Sequence, residues 1–219
     1  MISRVPLRDE VYRQVLQRIQ RGDLPAGSRV RDVPLAAQLG VSRTPIREAL
    51  LRLVREGVLE TSQGRGFRVR RLDPAEVREV GAILGAIESL ALRLSPAPSP
   101  ERLERLREID GRLEQTRGDA HRCLELEDEW HRVLLENCSN GRLLELIGSL
   151  RQVTRRYLAA YMRDAGRLSL STLPHTKILQ ALTGGGRDTA AAVFEHQWRR
   201  AVAELEAWTS RAAGTGGPP

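Results

Sequence analysis

The sequence predicts a mainly α-helical protein built from two domains, and three observations lead to that prediction. Apolar residues recur at helical spacing in one segment after another, whereas strand-like alternation is confined to a short stretch before residue 72. Residues 1–72 contain 15 Lys and Arg against 7 Asp and Glu, and residues 73–219 contain 20 against 21. All the excess positive charge therefore lies in the first part, a division typical of a nucleic-acid reader joined to a separate domain.

The composition is that of a globular protein. Hydrophobic residues make up 41% of the 219 residues, enough for packed cores, and the 4% of aromatics leaves those cores mostly to Leu, Val, Ile and Ala. No apolar run is long enough to span a bilayer and no signal-peptide pattern is present, so we expect a cytoplasmic protein with no membrane partner. Cys123 and Cys138 show no metal or redox spacing and are expected to be buried, reduced thiols.

Three helices are predicted in the basic module. Residues 6–21 carry an apolar stripe that ends at Gly22, and a short helix is predicted over 34–39. The string "GVSRT" turns the chain into a third helix, with Thr44 as its cap and Pro45 at its first position. One face of this third helix is committed to a core by Ile46, Ala49, Leu50, Leu53 and Val54.

The opposite face of that helix is basic, because Arg43 and Arg47 stand one turn apart at its start and Arg52 and Arg55 follow. Such a helix either enters a nucleic-acid groove or presents a solvated basic face, and the helix alone does not decide between them. After Gly57, "VLET" and "FRVRR" predict two short strands flanking the tip "SQGRG". Two helices joined by a tight turn and followed by such a hairpin form a winged helix-turn-helix.

The string "LAAQLGVSRTPIREALLRLVREGVLETSQGRGFRV" closely resembles the winged helix of the GntR family of bacterial transcription regulators, over residues 6–71. The resemblance implies that Arg43 and Arg47 reach bases or phosphates, and that the wing enters the minor groove of double-stranded DNA. Some relatives carry an arginine where this chain has Val33, and Arg31 is the candidate replacement. The DNA-binding residues so implied are Arg31, Ser42, Arg43, Thr44, Arg47, Gly64, Arg65 and Gly66.

A second domain is expected to begin directly after the wing. Asp73 caps a new helix and Pro74 suits its first position, so the boundary is placed at residue 72. The predicted architecture is a DNA-binding domain over 1–72, an antiparallel helical-bundle domain for effector binding and dimerisation over 73–211, and a disordered tail over 212–219. Helices are predicted over 74–94, 100–117, 120–137, 140–163, 172–183 and 187–211.

Histidines mark a candidate metal site in the second domain. The string "ELEDEWH" places Glu127 and His131 four residues apart on one helical face. With His175 and His196 from other segments, these residues make a set of four ligands for a divalent metal. By spacing alone, an exposed helix-face pair with two unrelated histidines is the alternative.

The pattern "EDEWH…N140…H175…H196" resembles the all-helical FCD ligand-binding domain of the FadR-like branch of GntR regulators, over residues 74–211. The resemblance implies a divalent metal, zinc or alternatively nickel or manganese, held by Glu127, His131, His175 and His196. The metal in turn helps to hold a small organic acid. Glu127 stands where many relatives have an aspartate, and its longer side chain is still able to ligate.

The anion contact of relatives is missing from this chain. Relatives often have an arginine four residues before the glutamate of the first domain helix, where this chain has Leu84 before Glu88. Arg151 and Arg155, one helical turn apart, are either a substitute for that arginine or a surface pair. Asn140 is a further candidate for binding the effector.

The function implied is a homodimeric, ligand-responsive transcription repressor that recognises an inverted-repeat operator. Two alternatives stay open. One is a metal-independent regulator that senses an acyl thioester. The other is a metal-dependent enzyme with Asp128 or Glu129 as base, which the absence of a triad motif, phosphate loop and dinucleotide fingerprint disfavours.

Overall fold

The computed structural model describes residues 6–62, 66–116, 119–165, 172–184 and 186–214. The chain divides into two compact units at the end of the predicted wing. The first takes in the described residues up to Leu72 together with Arg211–Gly214, and the second is Asp73–Ser210. No helix among the described residues is long and apolar enough to cross a membrane.

The first unit combines three helices with a small sheet. Its elements are α1 (Leu7–Arg21), β1 (Arg29–Val30), α2 (Asp32–Leu39), α3 (Arg43–Arg55), β2 (Leu59–Ser62) and β3 (Gly66–Val69). The strands are antiparallel in the order β1-β3-β2, so the predicted hairpin is present. Strand β1, whose Val30 pairs with Phe67, lies between the first two predicted helices, where no strand is predicted, because two residues are too short to show alternation.

The core of this unit joins α1, α3 and the sheet. Val15, Ile46 and Leu50 are fully buried in one apolar cluster with Phe67 of β3. Gly40 ends α2 with a φ of +65°, a conformation that glycine adopts without strain.

The start of α3 differs from its prediction. Ser42, rather than Thr44, is the cap residue, and it makes no side-chain capping hydrogen bond. Pro45 is then the third helical residue, where its missing N–H is not needed because the first four have no partner within the helix.

The second unit consists of six helices in its described part, and no described residue after Val69 forms a strand. The helices are α4 (Pro74–Leu94), α5 (Pro100–Gln115), α6 (Ala120–Leu135), α7 (Gly141–Ala165), α8 (Thr172–Gly184) and α9 (Gly186–Gly214). Polar caps explain several of their starts: the Asp73 side chain accepts from Ala75 N at 2.9 Å, and Ser99 and Asp119 cap α5 and α6 in the same way. Helix α9 continues three residues beyond its predicted end, and residues 215–219 of the predicted tail lie outside the described residues.

Helices α4 and α9 run antiparallel in close contact, and two glycines of α4 make that possible. A Cβ on Gly81 would lie 2.2 Å from Cγ2 of Val202, and one on Gly85 would lie 2.9 Å from Cβ of Trp198. One turn further along, the Ser89 hydroxyl donates to the backbone oxygen of Ala191 at 3.2 Å. This close contact brings Trp198 beside the inward face of α4, where the site described below is formed.

Both cysteines lie in the second unit. Cys123 and Cys138 are buried free thiols, as predicted.

Candidate functional site

The start of α3 presents two exposed arginines. The side chains of Arg43 and Arg47 are 63% and 64% exposed, and both approach Asp32 at the start of α2. Arg43 Nη2 lies 2.9 Å from Asp32 Oδ2, and the Arg47 guanidinium lies 3.9 Å from the same oxygen. The hydrogen bond from Arg43 lowers the pKa of Asp32. Asp32 therefore pairs with Arg43 and lies near Arg47, and both guanidinium groups stay exposed at the start of α3.

Arg52 has a structural role instead. Its guanidinium lies 3.9 Å from the centre of the Tyr12 ring and pairs with Asp9 of α1 and with Glu56. Arg52 is still 44% exposed on the basic face of α3, and it also joins α3 to α1.

Four of the other predicted DNA-binding residues can be described, and all four are exposed. Arg31, Ser42 and Thr44 are exposed. Gly66 is exposed with a φ of +92°, and a Cβ there would lie 3.2 Å from Val30 O, so the position favours glycine. Gly64 and Arg65 lie outside the described residues.

In the second unit, three of the four predicted metal ligands come together. Glu127 and His131 on α6 and His175 on α8 are all buried, and one ligand atom of each lies within 4.8 Å of the others. The four-residue spacing puts Glu127 and His131 on the same face of α6, as predicted. That α8 packs close enough to α6 for His175 to reach these two residues does not follow from local sequence patterns.

His175 is oriented for a ligand by its neighbours. Its Nδ1 lies 2.6 Å from Asp110 Oδ1 of α5, so the carboxylate fixes the proton on Nδ1 and leaves the lone pair on Nε2. The ring is stacked on Trp130, with centroids 3.6 Å apart and planes 2° from parallel. Nε2 is buried, has no hydrogen-bond partner, and lies 3.5 Å from Glu127 Oε2.

This geometry fits a metal ion. Nitrogen and oxygen ligands at about 2.0–2.2 Å from a tetrahedral zinc are separated by roughly 3.3–3.5 Å, close to the 3.5 Å between His175 Nε2 and Glu127 Oε2. A carboxylate behind a ligating histidine, as Asp110 is behind His175, is the usual support of a metal-binding imidazole. An unpartnered buried nitrogen is otherwise costly, so the donor set and its support both favour a cation here.

His196, the fourth predicted ligand, is not brought to this cluster. Its side chain is exposed. The inward face of α9 is formed by Phe194, Gln197, Trp198, Ala201 and Leu205. His196 follows Phe194 by two residues, which turns it about 200° around the helix axis and away from that face.

Glu88 is a component of the site that the sequence analysis did not assign. It is fully buried on α4, where Oε1 accepts from Arg151 at 2.7 Å and Oε2 accepts from Trp198 Nε1 at 2.7 Å. His131 Nδ1 lies 3.4 Å from Oε1. Burial alone would raise the pKa of Glu88, but Arg151 and His131 outweigh it and lower the pKa to about 2.

The pKa of His131 is lowered, which favours its neutral form. Burial is the largest cause of its lowered pKa, and the positive charge of Arg151 lowers it further, while Glu88 opposes the shift. A neutral imidazole is the form that ligates a metal.

Arg151 and Arg155 lie in the cavity wall rather than forming a surface pair, with side chains 15% and 13% exposed. Asp128 bridges them: its Oδ1 lies 3.4 Å from Arg151 Nη2, and its Oδ2 pairs with Arg155. Asn140, by contrast, is exposed and caps α7 by accepting from Leu143 N at 3.1 Å. The structure therefore gives Asn140 a capping position and does not bring it to the cavity.

A cavity with about 70 Å³ of room for the centres of water-sized molecules opens at this cluster. Helices α6, α7, α8 and α9 all contribute to its wall. The residues lining it are Leu124, Glu127, Asp128, His131, Arg151, Thr154, Arg155, Leu158, His175, Ile178, Phe194, Gln197, Trp198, Ala201 and Leu205.

Comparison with protein families matches each part of the chain to a known domain. Residues 7–69 match the bacterial regulatory proteins of the gntR family, and residues 79–200, more than half of the chain, match the FCD domain. The chain belongs to the GntR family of transcription regulators, in its FadR-like branch with an FCD domain. It is therefore a DNA-binding regulator and not an enzyme, which removes the enzyme alternative.

Relatives of this GntR regulator align along most of their length. One is the "Probable D-xylose utilization operon transcriptional repressor" of Paenarthrobacter nicotinovorans, 30% identical over 89% of this chain and 87% of the relative. Another is the Nta operon transcriptional regulator of Aminobacter aminovorans, 34% identical over 76% of this chain and 79% of the relative. Among solved structures, E. coli McbR/YncC is similar in fold, with a TM-score of 0.79 and 24% identity over 92% of this chain and 98% of that one.

Proposed function

We propose that this GntR regulator is a homodimeric repressor whose FCD domain senses a small carboxylic acid through a divalent metal bound by Glu127, His131 and His175. The observation that carries the proposal is the buried, unpartnered Nε2 of His175, which faces Glu127 in the wall of a cavity. Zinc suits this donor set of one carboxylate and two imidazoles, and nickel or manganese are alternatives. A metal held there supplies positive charge to the carboxylate of an acid in the cavity.

The protein's own residues complete the effector site. Arg151 and Arg155 place two guanidinium groups in the cavity wall. They would replace the arginine that relatives often carry at the position of Leu84. Glu88 anchors Arg151 from behind, and Asp128 holds both arginines toward the metal ligands on α6. An acid that binds both the metal and an arginine would make contacts with α6, α7 and α8 at once.

DNA recognition is proposed to use Arg43 and Arg47 of α3, together with the exposed Arg31, Ser42, Thr44 and Gly66 and with Gly64 and Arg65 of the wing. The bases are read from the major groove, which admits a helix end carrying arginines. A relative named as an operon repressor supports the sign of the effect. Ligand can change operator affinity only if it binds one arrangement of the dimer better than another.

An exposed apolar stripe on α4 supports the homodimer. Ile83, Leu90 and Leu94 are 49%, 44% and 47% exposed, and they recur at helical spacing on the outward face. Apolar side chains grouped on one exposed helix face favour burial against a second copy of the chain. A two-fold dimer presents two equal readers, so the operator is expected to be an inverted repeat.

The metal proposal is tested by metal analysis of purified protein after dialysis. We expect the wild type to retain about one divalent ion per chain and His175→Ala to lose it, because an inner ligand has been removed. His196→Ala is the matched control, since it deletes an exposed imidazole on α9 and is expected to leave the metal content unchanged. A metal-free wild type, or equal retention by His175→Ala, contradicts the proposal.

One observation favours the alternative of a metal-independent regulator that senses an acyl thioester. A second cavity, with about 380 Å³ of room for the centres of water-sized molecules, shares Asp128, His131 and Arg151 with the first, and Leu135, Leu144 and Ile147 give it apolar walls. An acyl chain would fit such a wall. Thermal stabilisation by an acyl thioester that persists after metal removal would support this alternative over the metal-dependent acid sensor.

A further inference from the structure

We infer that the effector is a small monocarboxylic acid with an apolar body, aliphatic or aromatic, rather than a sugar acid or a dicarboxylic acid. The inference rests on the proposed function and specifies the class of acid that the cavity accepts. It is drawn from how polar and apolar groups are distributed along the cavity wall.

The polar groups lie at one end of the cavity. On α7, Arg151 and Arg155 give way to Leu158 one turn further along. On α9, Trp198 lies at the polar end, where it contacts Glu88, and Ala201 and Leu205 follow along the same face. Helices α7 and α9 run in the same direction here, because Tyr161 of α7 pairs with Glu204 of α9 and, further along both helices, Trp208 donates to Asp164. Leu158, Ala201 and Leu205 therefore come together toward the ends of these helices, whereas Phe194 lies beside His131, with ring centroids 5.4 Å apart.

The wall offers few groups that would bind the hydroxyls of a sugar acid. Its neutral hydrogen-bonding side chains are Thr154 and Gln197. The Thr154 hydroxyl already donates to the backbone oxygen of Arg151 at 3.1 Å. Gln197 makes a contact within the protein, and its buried Oε1 accepts no hydrogen bond. Two such side chains replace only part of the hydrogen bonds that the several hydroxyls of a sugar acid make with water, which disfavours a polyhydroxylated body.

A second carboxylate has no unneutralised cation to bind. Arg151 is paired with Glu88 and Asp128, and Arg155 is paired with Asp128. Among the described residues of the wall these are the only cationic side chains. The metal therefore supplies the unbalanced positive charge for one carboxylate, and a dicarboxylic acid would have to displace Asp128 to place its second one.

The size of the cavity agrees with a small ligand. Room for one water corresponds to about 10–15 Å³ by the same measure, so 70 Å³ holds roughly five water-sized groups. An acid such as butyrate or benzoate suits that space better than a coenzyme thioester does.

The test measures dissociation constants by thermal melting of the zinc-loaded full-length protein with acetate, butyrate, benzoate, succinate and gluconate. We expect butyrate and benzoate to bind at least about tenfold more tightly than succinate and gluconate. Equal or tighter binding of gluconate or succinate overturns the inference while leaving the metal-dependent acid sensor standing. If the metal is present but none of the acids binds, both this inference and the proposed carboxylic-acid effector are wrong.

A matched pair of variants locates the apolar body. Ala201→Leu fills the apolar end and is expected to weaken benzoate binding about tenfold while leaving acetate binding unchanged. Ala203→Leu adds the same side chain on the exposed face of α9 and should change neither. If the two variants bind benzoate equally, the ligand does not use the apolar end. The ranking of acids in the wild type gives an independent answer should Ala201→Leu fold poorly.

Discussion

A single buried carboxylate joins three helices around the proposed effector site. Glu88 of α4 accepts from Arg151 of α7 and from Trp198 of α9, and its side chain is fully buried. A buried charge is tolerated only when it is paired and hydrogen-bonded, and Glu88 satisfies both conditions. Its loss would leave Arg151 and Trp198 with donors that have no partner in the interior.

Glu88→Gln is therefore expected to lower the free energy of unfolding of the second unit by about 3–5 kcal/mol at neutral pH, the cost of breaking a buried ion pair. Denaturant unfolding of metal-free protein followed by tryptophan fluorescence measures this unit selectively, because Trp130, Trp198 and Trp208 all lie in it. Glu79→Gln, an exposed site on the same helix, is the control and should have almost no effect.

The same pair of proteins gives a pH dependence with a defined sign. The pKa of Glu88 falls from an ordinary 4.5 to about 2 on folding. The unfolded chain binds the proton more readily, so the stabilisation is complete above pH 4.5 and is lost as the pH falls toward 2. The difference in stability between wild type and Glu88→Gln should shrink over that range. A difference that stays constant down to pH 2 would show that Glu88 is not stabilised as an anion.

Apart from what the resemblance implied, such as the place of His175, individual site residues were predictable only where the signal was local. Glu127 and His131 are four residues apart, so helix geometry alone places them together. Asp110 lies 65 residues from His175, and no local pattern indicates that they meet. His196 was placed in the site by resemblance, but the phase of α9 is set by how Trp198 packs against Gly85, a tertiary contact that single-sequence patterning does not contain.

At the level of secondary structure, the contact of α4 with α9 depends on glycines whose role is steric. In an exposed helix, Gly→Ala is stabilising by up to about 1 kcal/mol because alanine loses less backbone entropy. At Gly81 the added methyl would lie 2.2 Å from Val202 Cγ2, and valine is stiff about its first side-chain torsion. Relief would require the two helices to separate, so the steric cost outweighs the gain in propensity.

We expect Gly81→Ala to lower the free energy of unfolding by about 1–3 kcal/mol. Gly148→Ala in α7 is the matched comparison, because its Cβ would meet nothing within 4 Å, and it should raise the stability by about 0.5–1 kcal/mol. Denaturant midpoints of the two variants should thus move in opposite directions. If both variants are stabilised, α4 and α9 are not packed as closely as described.

The elements themselves were largely predictable from the sequence, since their ends carry local chemistry. Asp73 and Pro74 specify the start of α4, and Gly22 and Gly40 specify the ends of α1 and α2 through a left-handed conformation. Strand β1 was not predictable, because its two residues become a strand only by pairing with β3. The contact of Arg52 with Asp9 of α1 was not predictable for the same reason, since the two residues lie 43 positions apart in the sequence.

At the scale of the whole molecule, we propose that α4 links effector sensing to assembly. Its inward face carries Glu88 beside the proposed effector site, and its outward face carries the apolar stripe of Ile83, Leu90 and Leu94. A ligand that changes the position of Arg151 acts on Glu88 and hence on the helix that we propose to lie at the dimer interface. A shift of this helix is a physical route by which one dimer arrangement could bind the acid better than another.

Leu90→Arg tests that role, because it places a charge in the middle of the stripe, where burial against a second copy would leave the charge unpaired. We expect the variant to sediment as a monomer while retaining its metal content. Two linked DNA readers exceed the affinity of one by about 10²–10⁴, so binding to an inverted repeat selected with the wild type should weaken by that factor, and binding to a single half-site should not change. Leu146→Arg introduces the same charge at an equally exposed leucine of α7 and should leave the dimer intact. A Leu90→Arg protein that stays dimeric would remove α4 from the interface, and with it the proposed route from Glu88 to the operator.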